Sequence, residues 1–487
     1  MMRIPLLLVY KILNYIIDTT YIPLKYKLTL GLICKQIFQK IRSNNKINKT
    51  TRWDTWTEDD DNLIESHRDS EHCIIKDIEN LFLYFDITQK KIDIDFVDKR
   101  LERLGRDVQT LKVLEYNCPL NYHFYPNFIR HFPKLVTLEL DLEGVGSYNY
   151  LYWIETETKV ELPPIENLNI RVNEDILFVQ WILTKIKMSI VTMVIHISGY
   201  LPNHLSEPLN IFIGEYQAPN LKSIDCPKQF PLDKLILNHQ SHLTSFVINY
   251  PLWEPIDVIV NQKNMPCLEE IIIHTMSSKL LHKFVITSIS QMPQLRKLRH
   301  TSFCSLANGD TLTVENQPLK YIQELEIQNP NLFNYLLSKN MIGNQLVLLK
   351  IDCLNSQSYE LLNRYLSTTD KLSHLHFDCA KCSYIQSEIL SRTISKMPSL
   401  IALNIRVGNQ DNQIFNHLHL SETLDFISIR SYELLYPITI HPPFQLITSG
   451  PSLRQFLRNG IHYNEISQII TPKPTIFSKF LNFFTHK

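Results

Sequence analysis

The residues best suited to metal chemistry lie in one stretch, "HLHFDCAKC", which supplies His374, His376, Cys379 and Cys382. Imidazole and thiolate are preferred zinc ligands, and four of them make a tetrahedral site. Their parity argues against it: on an extended strand His374 and His376 project together, whereas Cys379 falls on the opposite side. No metal is expected here. The acidic run from Glu58 to Asp61 reads as a solvated charge cluster. No spacing brings a cysteine nucleophile to a histidine base. The phosphate-loop, dinucleotide-loop and zinc-protease signatures do not occur. Only 11 of 487 residues are glycine, about 2% against a usual share of about 7%, so the backbone has few places to approach a phosphate closely. The expectation is a protein without catalytic residues, metal or cofactor.

Charge narrows the partners. The 49 basic residues are balanced by 49 acidic ones, which lacks the basic footprint that phosphate neutralisation requires, so nucleic acid is not expected. Nine cysteines, an odd number set mostly among apolar residues, suit buried thiols in a reducing compartment. An intracellular location, cytoplasmic or nuclear, follows. The opening "IPLLLVYKILNYI" is apolar, but Lys11, Asn14 and Asp18 interrupt it. No small-residue cleavage site follows, and no apolar window reaches the roughly 18 residues of a membrane span. Neither a secretion signal nor a membrane partner is expected.

The elements that position the side chains come from a recurring apolar triplet spaced L-x-x-L-x-L. It occurs as Leu111/Leu114/Tyr116, Leu135/Leu138/Leu140, Ile165/Leu168/Ile170, Ile190/Met193/Ile195, Leu243/Phe246/Ile248 and Leu268/Ile271/Ile273. It continues as Ile322/Leu325/Ile327, Leu346/Leu349/Ile351, Leu372/Leu375/Phe377, Leu400/Leu403/Ile405 and Leu424/Ile427/Ile429, with weaker copies at Leu221, Leu295 and Leu453. The mean period is about 26 residues, within the repeat range of roughly 20 to 29. Each copy predicts a short strand with alternate residues inward, followed by a return segment. One unit cannot bury its own apolar face, but a stack can. Return segments such as "DILFVQWILTKIKM" place Ile176, Val179, Leu183 and Ile186 on one helical side, and "EILSRTISKMP" does the same with Ile389, Leu390, Ile394 and Met397. Pro133, Pro266, Pro293 and Pro398, each in "FPKL", "MPCL", "MPQL" or "MPSL", predict a helix stop just before the strand. The competing architecture is an ordinary α/β sheet of βαβ units.

This pattern resembles the leucine-rich repeat family, particularly its longer repeats with an outer helix. The implied fold is α/β, a curved solenoid over 76–470 with parallel strands inside and helices outside. Residues beside the second and third apolar positions then face the concave side. They are Glu139, Asp141, Lys297, Arg299, Glu324, Glu326, Lys350, His374, His376, Arg406 and Arg430, a mixed-charge surface suited to a protein substrate. Residues 43–75 are polar and charged and read as a linker. The aromatic tail 471–487 reads as a C-terminal cap, with insertion at a membrane surface as its alternative.

The first 42 residues fall outside the repeats. Pro5 sits at a helix start, and Ile4, Leu8, Val9, Ile12, Leu13 and Ile16 follow on one stripe. A second apolar helix carries Leu28, Leu32 and Ile33-Cys34-Lys35. The segment resembles the F-box, a small all-α domain. The resemblance implies that Ile4, Pro5, Leu8, Val9, Ile12, Leu13, Ile16, Leu28, Leu32 and Cys34 dock the adaptor subunit of a cullin-RING ubiquitin ligase. The alternative for this segment is a helical hairpin that caps the stack. Together the two resemblances imply a non-catalytic substrate receptor that joins a cullin complex. The alternative is a repeat scaffold or GTPase regulator unconnected to ubiquitin.

Overall fold

The computed structural model describes residues 48–52, 79–86, 99, 101–102, 105–116, 128–142, 161–172, 176–198, 203–227, 232–249, 265–274, 289–301, 319–351, 354, 356–378, 384–407 and 426–431. The segment 1–42 with its ten candidate docking residues, the copy at Leu453 and the tail 471–487 lie outside them.

The chain is α/β and divides into two units, Met1–Asn249 and Tyr250–Lys487. In the first, eight strands pair in chain order and all in parallel: β1 Asn48–Arg52, β2 Asn80–Asp86, β3 Thr110–Tyr116, β4 Thr137–Leu142, β5 Asn167–Val172, β6 Thr192–Ile197, β7 Ser223–Asp225 and β8 Ser245–Ile248. The second does likewise with β9 Glu270–Ile273, β10 Lys297–His300, β11 Glu324–Ile327, β12 Leu348–Ile351, β13 His374–Asp378, β14 Ala402–Val407 and β15 Phe426–Ser431. β1 lies inside the stretch read as a linker and pairs with β2, so the stack begins earlier than the apolar triplets indicate. Its sequence, NKTTR, has no apolar residue by which periodicity would reveal a strand.

Register turns the triplets into continuous apolar rows. In the first unit Leu81, Leu111, Leu138, Leu168, Met193, Ile224 and Phe246 stand opposite one another in succession, and each is at most 1% exposed. Ile271, Leu298, Leu325, Leu349, Leu375 and Leu403 form the same row in the second. Burying each such side chain contributes about 1.5–3 kcal/mol, and a one-residue slip would turn a whole strand's set outward. The reading Leu111/Leu114/Tyr116 is corrected by this register. Val108, Leu111 and Val113 are fully buried, whereas Leu114 is half-buried and stands opposite Asp141. The spacing fits both phases, and alignment with Leu138 and Leu140 selects between them.

Among the described residues, helices carry the chain between strands at α1 Ile176–Ile186, α2 Asn203–Glu215, α3 Leu232–His239, α4 Pro330–Ser338, α5 Ser356–Leu366 and α6 Tyr384–Ile394. α2 packs beside α1 and α3, and α5 beside α4 and α6. Val179, Leu183 and Ile186 of α1 are buried as the periodicity predicts, together with Phe178, Trp181 and Ile182. On α6, Leu390 and Ile394 are buried but Ile389 is 47% exposed, so it belongs to the outer side. α4 begins at Asn329, whose side-chain oxygen accepts from the N–H groups of Asn331 (2.9 Å) and Leu332 (3.3 Å). Pro330 follows at a position that has no N–H to satisfy. None of the described helices is long and apolar enough to cross a membrane.

The prolines mark turns at the strand entrance. In Phe132-Pro133-Lys134-Leu135 the N–H of Leu135 donates to the carbonyl of Phe132 at 3.0 Å, and Leu268 to Met265 (3.3 Å) and Leu295 to Met292 (3.2 Å) repeat it. Proline occupies the second turn position, where its fixed φ suits the bend. Directly after the turn, one carbonyl per repeat accepts two successive N–H groups from the next. Gln109 O receives Val136 (2.8 Å) and Thr137 (2.9 Å), Val136 O receives Glu166 (2.9 Å) and Asn167 (3.0 Å), and Glu166 O receives Val191 (2.7 Å) and Thr192 (2.9 Å). The second unit repeats this from Glu269 O through Arg296 O, Gln323 O and Val347 O to Ser373 O.

Gly105 opens a short 3-10 turn, where an added Cβ would lie 2.3 Å from the His131 carbonyl oxygen. Backbone cannot yield as a side chain can, so Gly105→Ala is expected to lower the stability of the first unit by about 1–3 kcal/mol. Gly214→Ala in α2 meets only the Lys234 side chain, at 3.2 Å. It is expected to be neutral or stabilising by up to about 1 kcal/mol through helix propensity. Urea midpoints of the two variants read both effects, and equal midpoints would contradict them.

Candidate partner-binding face

Strand alternation places the candidate polar residues on the side opposite the buried rows. Glu139 lies between the buried Leu138 and Leu140, Lys297 and Arg299 flank Leu298, and Glu324 and Glu326 flank Leu325. Lys350 follows Leu349, and His374 and His376 flank Leu375. Arg406 stands opposite Arg430 in the β14–β15 register. The side chains of that pair, and Cys379 and Cys382, lie outside the described residues.

The structure pairs these charges with one another. Lys112 Nζ reaches Glu139 Oε2 at 2.9 Å, and Arg171 Nη1 reaches Asp141 Oδ2 at 3.7 Å. In the second unit Lys297 meets Glu324 (3.0 Å), Arg299 meets Glu270 (3.3 Å), and Lys350 pairs with Glu326. Four of the five join residues directly opposite in register, and Arg299 to Glu270 is diagonal. Opposite charges on neighbouring strands are worth about 0.2–1 kcal/mol in such half-exposed positions. Lys112, Arg171 and Glu270 complete these pairs and are absent from the sequence-derived set. Lys112 is hidden by the misphased triplet at Leu111. Arg171 and Glu270 occupy register positions equivalent to Asp141 and Lys297, so aligning the strands by their buried residues would have found them.

A second feature emerges only from the strand register. Asn80, Thr110, Thr137, Asn167, Thr192, Ser223 and Ser245 form one register row across β2 to β8, all half-buried and all uncharged. Within it Asn167 Nδ2 donates to Thr137 Oγ1 at 3.2 Å. The first unit thus presents hydrogen-bonding groups without charge beside its two ion pairs. In the second unit the equivalent row begins Glu270, Lys297, Glu324, then Leu348 and His374. His374 is exposed, with Ser373 Oγ at 2.8 Å from its Nδ1.

Two displaced titratable groups lie elsewhere, in the core. Burial raises the Cys226 thiol well above its ordinary value, with Asp225 adding to the effect, and burial lowers the imidazole of His239. Both are 1% exposed. Among the described residues, no cluster of three or more His, Cys, Asp or Glu side chains is arranged to hold a metal ion. The described face offers salt bridges, hydroxyls and amides.

The Glu326–Lys350 pair is the least exposed of the set, at 17% and 30%. A double-mutant cycle with Glu326→Gln and Lys350→Met is expected to give a coupling of about 0.5–1 kcal/mol that shrinks in 1 M salt. No coupling at low salt would show that the pair adds nothing to stability.

No protein-family model matches the chain, and no curated protein matches it.

Proposed function

We propose that the chain is a non-catalytic recognition subunit, a leucine-rich repeat solenoid that holds a protein substrate on its open strand face for a cullin-RING ubiquitin ligase. The observation that carries the recognition half is the in-order parallel stack, with alternate positions of β2 to β14 buried and paired charges and hydroxyls on the other side. A rigid ladder of this kind presents side chains at fixed spacing, which lowers the ordering cost of binding. Residues 1–42, which resemble the F-box, supply the ligase half of the reading through Leu8, Ile12 and their apolar neighbours. Such a subunit acts by position: tethering raises the local concentration of substrate lysines near the enzyme that transfers ubiquitin.

The test is co-purification of the full chain with the ligase adaptor subunit, against a Leu8→Asp/Ile12→Asp variant whose fold is checked by circular dichroism. Binding by the intact chain that drops at least tenfold in the variant is the expected result. Absence of binding by the intact chain would make 1–42 a cap and the protein a scaffold unconnected to ubiquitin.

A further inference from the structure

His239, the last residue of α3, is 1% exposed and uses both ring nitrogens. Its Nδ1–H donates to the Leu235 carbonyl at 2.8 Å, and its Nε2 accepts the backbone N–H of Ala218 at 3.0 Å. Ala218 belongs to the turn that feeds β7, where the N–H of Leu221 donates to its carbonyl at 3.1 Å. The His239 carbonyl in turn accepts the N–H groups of His242 and Leu243, both at 3.1 Å, and so shapes the entrance to β8. One residue therefore ties the turn of the preceding repeat to the turn of its own.

The tie holds only while the imidazole is neutral. A proton on Nε2 would set N–H against the N–H of Ala218, replacing a hydrogen bond by two opposed donors. The surroundings do not favour the cation. The His242 ring stands edge-on with centroids 5.5 Å away, and its Nδ1 has Ser241 Oγ at 3.3 Å. The Tyr216 ring lies at 6.2 Å, and its hydroxyl donates to the Leu183 carbonyl. Cys226 acts on Tyr216 and Asp225 acts on Cys226, but the Asp225 carboxylate accepts from Asn249 Nδ2 at 2.6 Å. On α3 itself, Lys234 is directed toward Gly214, and Asp233 lies in the first turn.

We propose that His239, faced by the His242 ring, is an acid-sensitive latch, whose protonation opens the segment joining α2, β7, α3 and β8 while β4, β5 and β6 stay folded. In the closed state burial, with a further contribution from His242, lowers His239 below its ordinary value of 6.5, and the Leu235 hydrogen bond opposes this only in part. The opened segment returns the imidazole to about 6.5 and binds the proton more readily. Closure is therefore fully favoured above about pH 6.5 and weakens as pH falls below it, by at most about tenfold per pH unit for one proton. Segments of limited local stability open in this way without global unfolding.

Hydrogen exchange of the full chain, followed by mass spectrometry at pH 7.5 and 5.5 and corrected for intrinsic rates, tests the latch. Protection in peptides covering 216–222 and 239–246 is expected to fall by up to about tenfold at pH 5.5, with peptides covering β4 to β6 unchanged. His239→Gln keeps an acceptor for Ala218 without a titrating group and is expected to remove the difference. If that variant does not fold, His242→Gln decides: removing the facing imidazole should shrink the acid response. An unchanged response in either folded variant, protection loss spread evenly over the first unit, or no response in the parent chain would overturn the proposal.

Discussion

Strands β3 to β8 and β10 to β14 each depend on one backbone oxygen. The carbonyl just ahead of a strand accepts two successive N–H groups of the following repeat, from Glu79 through Lys222 in the first unit and from Glu269 through Ser373 in the second. Buried backbone groups must be paired, and here a single acceptor satisfies two donors at the point where the chain enters the sheet. That pair of hydrogen bonds fixes where the next strand begins, and strand parity then assigns every following side chain to one face or the other. Return segments can differ in length and structure, as the helix of α1 and the short 3-10 turn at Gly105–Asp107 do, because they need only deliver the chain back to this oxygen.

The turn ahead of the carbonyl explains why the repeats tolerate so irregular a sequence. Phe132, Met265 and Met292 share no side-chain shape beyond being apolar, yet each is buried and each carbonyl closes the turn to the first residue of the triplet. Proline at the next position restricts the backbone without adding a packing demand. The turn Ala218-Pro219-Asn220-Leu221 has the same proline and is held in addition by His239, whose Nε2 accepts the Ala218 N–H. The same local geometry thus rests on a restricted dihedral in each of these repeats, and at Ala218 a buried side chain adds a second restraint.

The polar face follows from the same parity. Because neighbouring strands lie about 4.8 Å apart, a lysine and a glutamate at equivalent positions meet without distortion, which is why four of the five ion pairs are register partners. Pairing leaves little net field on the face described, so a partner bound there, as proposed, would meet placed donors and acceptors rather than long-range attraction. The two units differ in this respect: the first carries a seven-residue row of Asn, Thr and Ser, and the second places charge in the equivalent row.

The apolar triplets by themselves determined the repeat, the strand parity and the side on which Glu139, Lys297, Glu324 and His374 stand, because alternation is a property of any extended chain whose one face is buried. The return segment's own periodicity placed α1, since Val179, Leu183 and Ile186 recur at helical spacing. The phase at Leu111 was ambiguous locally, and β1 carried no apolar signal, so both were decided by pairing with neighbouring strands. Which charges neutralise which, and the closure of His239 onto Ala218 across 21 residues, were likewise decided by tertiary structure. Contacts between repeats depend on the register of one backbone against another, and no spacing within a single repeat encodes that register.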